Sequence, residues 1–425
     1  MRAAQRLDPP ASASAPKRVA STLVAACFAI LAAGTVAAGG PAGQTRKPRV
    51  QDVAAKAGID LVTRSWSVSV ADFDSDGWPD VFLGVHGDGP ARLYRNDRGH
   101  FVEVGAGTFV DRDRHDCAWG DANVDGLPDI YCTIGAESGH GMEPNELWMQ
   151  QPGGSFVDEA AAYGVTDPYG RGRRTTFIDV NHDAFPDLFV GNGYPRADDI
   201  PSPNRLFINE GGTSFRDAPE YGLEFEMGAR CVQAVDFDDD GWQDLLVCGQ
   251  PGDGLRLFRN VEGTVFQDVT EAVGIADDSN SAVLVDLSGD DRLDLVFVTS
   301  TKVHMQLADD QGFAPPVVVR AGLPHPRWIA AGDVNRDGRI DLYVLNTCGS
   351  ELEFNEPDRM LLNAGDGRFA DTPIPQTTEG CGDVVTPIDY DRNGNADFVV
   401  MNGIFQNPDY APEGPVQLIA FRGPR

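Results

Sequence analysis

Basic residues are scarce in this 425-residue chain: 34 Lys and Arg stand against 65 Asp and Glu, a formal net charge of −31. That balance excludes a nucleic-acid partner of the ordinary kind, whose phosphates are gripped by a basic face, and makes cations the expected company. The sequence also lacks a Gly-x-Ser-x-Gly elbow, a His-Glu-x-x-His pair and a phosphate-binding glycine loop, so the short motifs of common hydrolases, zinc proteases and nucleotide enzymes are missing. No apolar run long enough to span a bilayer occurs beyond residue 38. What is present suits a folded protein: 41% hydrophobic residues can fill a core, and 48 Gly with 29 Pro fit a turn-rich all-β chain.

The first residues read as a targeting segment. Lys17 and Arg18 precede an apolar run, Val19 to Ala38, that ends in small residues suited to a signal peptidase. Residues 1–38 are therefore expected to be a signal peptide, with export to the extracellular space or a periplasm; an uncleaved amino-terminal anchor is the competing reading. Cleavage there removes four basic residues and one acidic, leaving a mature charge of −34.

One nine-residue pattern recurs seven times: Asp, any, Asp or Asn, any, Asp, Gly, two of any, Asp. Its side-chain oxygens sit at positions 1, 3, 5 and 9. They are Asp72, Asp74, Asp76 and Asp80 in the first copy, and Asp121, Asn123, Asp125 and Asp129 in the second. The third has Asp179, Asn181, Asp183 and Asp187, the fourth Asp236, Asp238, Asp240 and Asp244, and the fifth Asp286, Ser288, Asp290 and Asp294. Asp333, Asn335, Asp337 and Asp341 form the sixth; Asp389, Asp391, Asn393 and Asp397 form the seventh. Successive copies start 49, 58, 57, 50, 47 and 56 residues apart, a period that suits a blade of four strands.

Each copy lies between short apolar stretches such as Trp66 to Ala71 and Val81 to Leu83, which read as buried strands A and B. Segments such as Arg92 to Asn96 and His100 to Glu103 supply strands C and D. After the seventh loop, strand B at Phe398 to Met401 and strand C at Val416 to Phe421 are followed by no strand D. Val50 to Ile59, however, matches the strand D segments Phe156 to Val165 and Phe266 to Ile275. The expected fold is an all-β, seven-bladed propeller over residues 49–425, its amino-terminal strand completing the last blade and leaving no open seam.

Oxygens at positions 1, 3, 5 and 9, with the backbone carbonyl at 7, can surround a hard cation while Gly at 6 permits the sharp turn. The six to eight flexible oxygen ligands of Ca2+ suit such a loop better than the strict octahedron of Mg2+. An EF-hand would need Glu at position 12, where Leu83, Cys132, Val190, Val247, Phe297, Val344 and Val400 stand. A single Asp-rich turn needs no metal, but seven copies gather 23 carboxylates that would repel one another without cations. The first and fourth loops, with four carboxylates each, are expected to bind most tightly. The fifth, with Ser288 and with Asp291 in the glycine position, is expected to bind most weakly, and Ala184 puts the third in doubt.

These loops and their flanking strands resemble the FG-GAP or VCBS repeats of integrin-α-like propellers. Within that group the chain looks most like the secreted UnbV and cartilage-acidic-protein-like propellers, without a match to their small carboxy-terminal domain. The resemblance implies Ca2+ bound between strands A and B in a structural role, with ligands taken up on other surfaces.

Six cysteines follow residue 38, consistent with an oxidising compartment. Cys117 with Cys132, and Cys231 with Cys248, occupy one register across their acidic loops and are expected to form cross-strand disulfides; Cys348 and Cys381 then pair with each other. On the face away from the loops, the connections 135–144, 191–203, 346–357 and 402–415 between strands B and C are long, and uneven loops on one face of a repeat protein mark where function is added. Six residues before each loop stand Trp66, His115, Arg173, Arg230, Asn280, Arg327 and Asp383, expected around one mouth of the central channel. His115, Arg173, Arg230 and Arg327 are the candidate ligand-binding residues, suited to a carboxylate or sulfate; pairing with neighbouring acids is the bland alternative. The expected function is a secreted, monomeric binding or adhesion module for a protein or an acidic glycan. The alternative is a calcium-dependent polysaccharide lyase or hydrolase working on the same face.

Overall fold

A computed structural model describes residues 47–423 apart from 88, 136–141, 195–201, 251, 276–278, 280, 349–356, 366, 376–380 and 404–412. The expected leader, Asn280 and most of the four long connections lie outside the described residues. Among the described residues no helix is long and apolar enough to cross a membrane.

Seven antiparallel sheets, each of four main strands, form a β-propeller. Blade one runs Ser65–Ala71, Asp80–Val85, Arg92–Asn96 and Phe101–Val104, paired in that order. Blades two to six repeat this order. The seven A strands pack side by side around the axis, each against the next and the seventh against the first, so the ring is closed. Strand B is buried on both faces: Phe82 joins Phe109, Trp119 and Trp148 toward blade two, while Val81 and Leu83 pack the other way. Burial on both sides explains why these strands read as continuous apolar runs.

The seventh blade takes its outer strand from the other end of the chain. Arg49–Asp52 pairs antiparallel with Gly414–Arg422, Val50 facing Phe421. Val62–Thr63 then pairs with the start of that same strand, Val62 facing Pro415. The expected strand over Val50 to Ile59 is shorter than its sequence match suggested. After Asp52 the chain turns through a single helical turn, Ala54–Ala57, and Ala160–Tyr163 does the same in blade two. Gly58 and Gly164 end these turns with φ of 85° and 79°. A side chain at Gly58 would come within 2.6 Å of the Phe101 carbonyl on blade one, so glycine both permits the left-handed cap and lets neighbouring blades touch. Blade five differs again: a small hairpin, Ala308–Asp309 with Gly312–Phe313, precedes its outer strand Val317–Ala321.

A repeated polar pin joins the blades. In all seven, a main-chain N–H of strand C, or in blade five of Ala308 two residues past it, donates to Oδ1 of the position-9 aspartate at 2.7–2.8 Å. In five blades the side chain of that same residue also donates to the position-2 carbonyl of the preceding loop: Asn96 to Tyr390, Gln150 to Phe73, Asn209 to Ala122, Asn260 to Val180 and Asn363 to Leu287. The Asn96 bond spans blades one and seven. Replacing Asn260 by Ala leaves the buried Val180 carbonyl without its donor and is expected to cost about 1–3 kcal/mol, read as a lower denaturant midpoint at unchanged slope.

Candidate functional site

All seven acidic loops connect strands A and B at one end of the propeller, and their internal geometry repeats. In the first, Asp72 Oδ1 accepts from the Asp76 N–H at 3.0 Å and Oδ2 from Gly77 at 2.8 Å, while Asp76 Oδ1 accepts from Trp78 at 2.8 Å. Position 6 is left-handed throughout, including Ala184 at φ 70° and Asp291 at φ 67°. Ala184, which put the third loop in doubt, adopts this turn nonetheless, at the steric cost a Cβ carries there. Position 4 is left-handed as well, with Ser75, Val124, His182, Asp239, Gly289, Arg336 and Arg392 at φ between 52° and 79°. Sequence reading missed that feature, because only one of these residues is glycine.

The carboxylate oxygens of positions 1, 3 and 9 lie within 4.8 Å of one another in the first, fourth and seventh loops, an arrangement that could hold a metal ion. In the second, third and sixth loops position 3 is Asn, and in the fifth Ser288. Within these loops two buried carboxylate oxygens, Oδ1 of Asp179 and Oδ2 of Asp397, have no hydrogen-bond partner among the described residues.

The opposite face gathers most of the remaining candidates. His115 is buried, 2% exposed, with Nδ1 2.7 Å from the Gly172 carbonyl and against the Arg173 guanidinium. Burial and the Arg173 charge push its pKa down to about 4. Its ring is thus engaged inside the wall and does not stand free in the mouth as a ligand contact would. Trp66 stacks on His115 at 5.1 Å and lies tilted against His86 at 4.4 Å. Arg327 donates twice to Asp383 Oδ1, at 2.8 and 2.5 Å, the pairing with a neighbouring acid that the sequence left open. Arg230 differs: it is half-buried, and among the described residues no carboxylate lies within ion-pair reach. Burial and the Arg327 charge lower its pKa to about 10. Below it, Arg174 crosses the channel from blade three. Its Nε donates to the Arg230 carbonyl at 2.5 Å, Nη1 lies 3.3 Å from Asp116, and the guanidinium sits 4.6 Å from the Trp328 ring centre. The remaining cavity among these A strands is about 50 Å³, room for a few waters. Arg174, His86 and Asp113 escaped sequence reading because none falls on a position that the repeat singles out.

Residues 72–132, 179–247, 236–297, 286–344 and 333–400 each match the FG-GAP-like repeat, every match running from one acidic loop to strand B of a following blade, and together they span more than half of the chain. The chain belongs to the FG-GAP-like repeat family. Cartilage acidic protein 1 of Mus musculus is 29% identical over 201 residues, covering 44% of this chain and 29% of that protein. Integrin alpha-3 of Cricetulus griseus is 30% identical over 137 residues, covering 30% of this chain and 13% of that protein. The chain spans less than a third of the length of these curated relatives. The crystal structure of BBS1N in complex with ARL6DN superposes with a TM-score of 0.52 at 11% identity, covering 86% of this chain and 94% of that one, a likeness of fold alone.

The FG-GAP loops differ in how much of their charge the protein itself neutralises. Arg259 pairs with Asp238 at 2.7 Å and with Asp240 at 2.9 Å, Arg292 with Asp290 at 2.8 Å, Arg339 with Asp337, and Arg422 with Asp391. The first loop has no such arginine pair among the described residues. Burial dominates at position 9: Asp80, Asp129, Asp187 and Asp244 are pushed up to about 7, and Asp341 and Asp397 to about 8. A carboxyl raised in the folded state binds its proton more tightly there than in the unfolded chain. It therefore contributes stability below the unfolded value, and that contribution is lost as pH rises to the folded one. The metal-free protein is expected to melt at a lower temperature at about pH 8 than at about pH 5.5, a comparison that calorimetry after chelation makes directly. Ala184→Gly relieves the left-handed strain in the third loop and is expected to add up to about 1 kcal/mol, read by urea unfolding.

Proposed function

We propose that this protein is an exported, calcium-stabilised propeller that binds an anionic group of a protein or glycan through the face opposite its acidic loops. Calcium is supported by the all-oxygen donor set, by three loops whose carboxylates converge, and by the orphaned oxygens of Asp179 and Asp397. Hard, flexible oxygen cages of this kind suit Ca2+, and the family resemblance implies a structural ion at the same hairpin. Each ion would tie strand A to strand B while the position-9 carboxylate holds strand C, so the metal serves the shape of the blade. The first loop, with four carboxylates and no competing arginine, would bind most tightly; Arg259 would weaken the fourth. Three disulfides, Cys117–Cys132, Cys231–Cys248 and Cys348–Cys381, all formed as the sequence predicted, support an oxidising compartment.

The observation that carries the binding reading is Arg230, a half-buried guanidinium beside Arg327 and Arg174 in a chain of net charge −31. A partly desolvated cation among cations is a favourable contact for a carboxylate or sulfate. Integrin alpha-3 and cartilage acidic protein 1 are consistent with an adhesive or matrix setting for such a module. The test is binding to arrays of matrix proteins and of carboxylated and sulfated glycans with calcium present. Arg230→Ala is expected to weaken the best ligand at least about tenfold, and salt to weaken it further. New unsaturated sugar products during the incubation, or affinity untouched by Arg230→Ala, would overturn this reading.

A further inference from the structure

The face opposite the acidic loops carries one group of metal-ligand side chains of different chemistry. His86 follows strand B of blade one, Asp113 precedes strand A of blade two, and His115 lies within that strand. One ligand atom from each, a ring nitrogen of both histidines and a carboxylate oxygen, lies within 4.8 Å of the others. Two separate pieces of backbone, one from each of two blades, converge here.

The orientation of His115 gives the cluster its direction. His115 Nδ1 lies 2.7 Å from the Gly172 carbonyl and against Arg173 Nη1, so the far side of the ring is held by both groups and Nε2 faces the cluster. Arg173 Nη1 shares that carbonyl at 2.9 Å. Nε2 is fully buried and makes no hydrogen bond, yet it lies 3.2 Å from Asp113 Oδ2. A cation held between these two atoms, or a proton on Nε2, brings them together at that distance. The other carboxylate oxygen, Oδ1, accepts from the Gly87 N–H at 3.0 Å and meets His86 Nδ1. A ligating imidazole held by a backbone carbonyl through its second nitrogen is the usual supporting arrangement of a metal site. Gly135 closes the far side: a Cβ there would come within 2.2 Å of Asp113 Oδ2 and 2.7 Å of His115 Cε1, so no larger residue fits beside the cluster. Trp66 stacks on His115, lies tilted against His86 and packs on the Cys348–Cys381 bridge, which fixes the rings from the mouth side.

We infer that His86, Asp113 and His115 form a binding site for a first-row divalent transition cation of the zinc type, separate from the calcium loops. Two imidazoles and one carboxylate select such an ion over Ca2+, which takes oxygen ligands. The side chains of His86 and Asp113 keep 18% and 23% of their surface exposed, leaving water as the remaining ligand on the mouth side.

The test uses the full chain without an affinity tag, stripped by chelator and returned to excess calcium so that the acidic loops are saturated. Cobalt is the probe. The expected result is one equivalent of Co2+ giving the visible absorption of a nitrogen- and oxygen-ligated ion, displaced by one equivalent of Zn2+. His86→Gln and Asp113→Asn are each expected to weaken binding at least about tenfold, while Asp74→Asn, in the first acidic loop, leaves it unchanged. Thermal melts in calcium check that each variant folds. Should a variant not fold, the wild-type chain decides alone, since zinc must raise its melting temperature in excess calcium. Absence of a stoichiometric cobalt signal in calcium, or equal affinity in a folded His86→Gln variant, would overturn the site and leave a proton on Nε2 as the link between His115 and Asp113.

Discussion

The structure depends on one buried carboxylate repeated seven times. In each blade the position-9 aspartate accepts a hydrogen bond from the backbone N–H at strand C on one oxygen; in six blades its other oxygen accepts from the second residue of the acidic loop. The seventh, Asp397, has no such second partner. Burying an ion-capable group is costly unless its lone pairs are used, and here they are used to fix the turn between strands A and B relative to strand C. From that point the asparagine pins extend to the neighbouring blade. A propeller has few long-range contacts besides those between adjacent blades, so a local polar bond repeated around the ring governs its overall geometry.

The same carboxylates separate the two faces. Where they cluster, backbone N–H groups and arginines already engage most oxygens, and little is left with which to recognise a large partner. The opposite face is built from dissimilar parts: an engaged ion pair at Arg327, an arginine at Arg230 with no carboxylate in ion-pair reach among the described residues, a guanidinium plug at Arg174, and a tryptophan packed on two histidines. Repetition serves the scaffold, and departure from repetition serves chemistry.

Much of the fold was legible because strand B is buried on both sides and the acidic turns punctuate the chain. Spacing gave the blade count and the register of the Cys117–Cys132 and Cys231–Cys248 bridges, which face each other in the ladders as expected, and likeness to the other outer strands gave the closing strand. The helical turns after Asp52 and Glu159 were not legible: an Ala-rich stretch ending in glycine was read through its similarity to other outer strands and not through its local preference. Val124 could not be foreseen in a left-handed conformation, since a β-branched residue is disfavoured there and only the surrounding hydrogen bonds impose it. His115 was selected by its repeat position, but its burial follows from Gly172 on the next blade, and His86 and Asp113 reach it only through folding. Contacts between blades made by residues outside the repeated positions carry no periodic signal.

Closure by a strand from the other end of the chain has a mechanical consequence. Arg49 lies opposite Arg422 and Asp52 opposite Ile419, so the outer flanks of both strands emerge at the same end of the pair. Tension applied between residues 48 and 423 loads the hydrogen bonds one after another and peels the seam open, instead of shearing the whole ladder at once. The ring should therefore resist heat and swelling far better than a pull, and its seventh blade is where a stretched molecule would yield first.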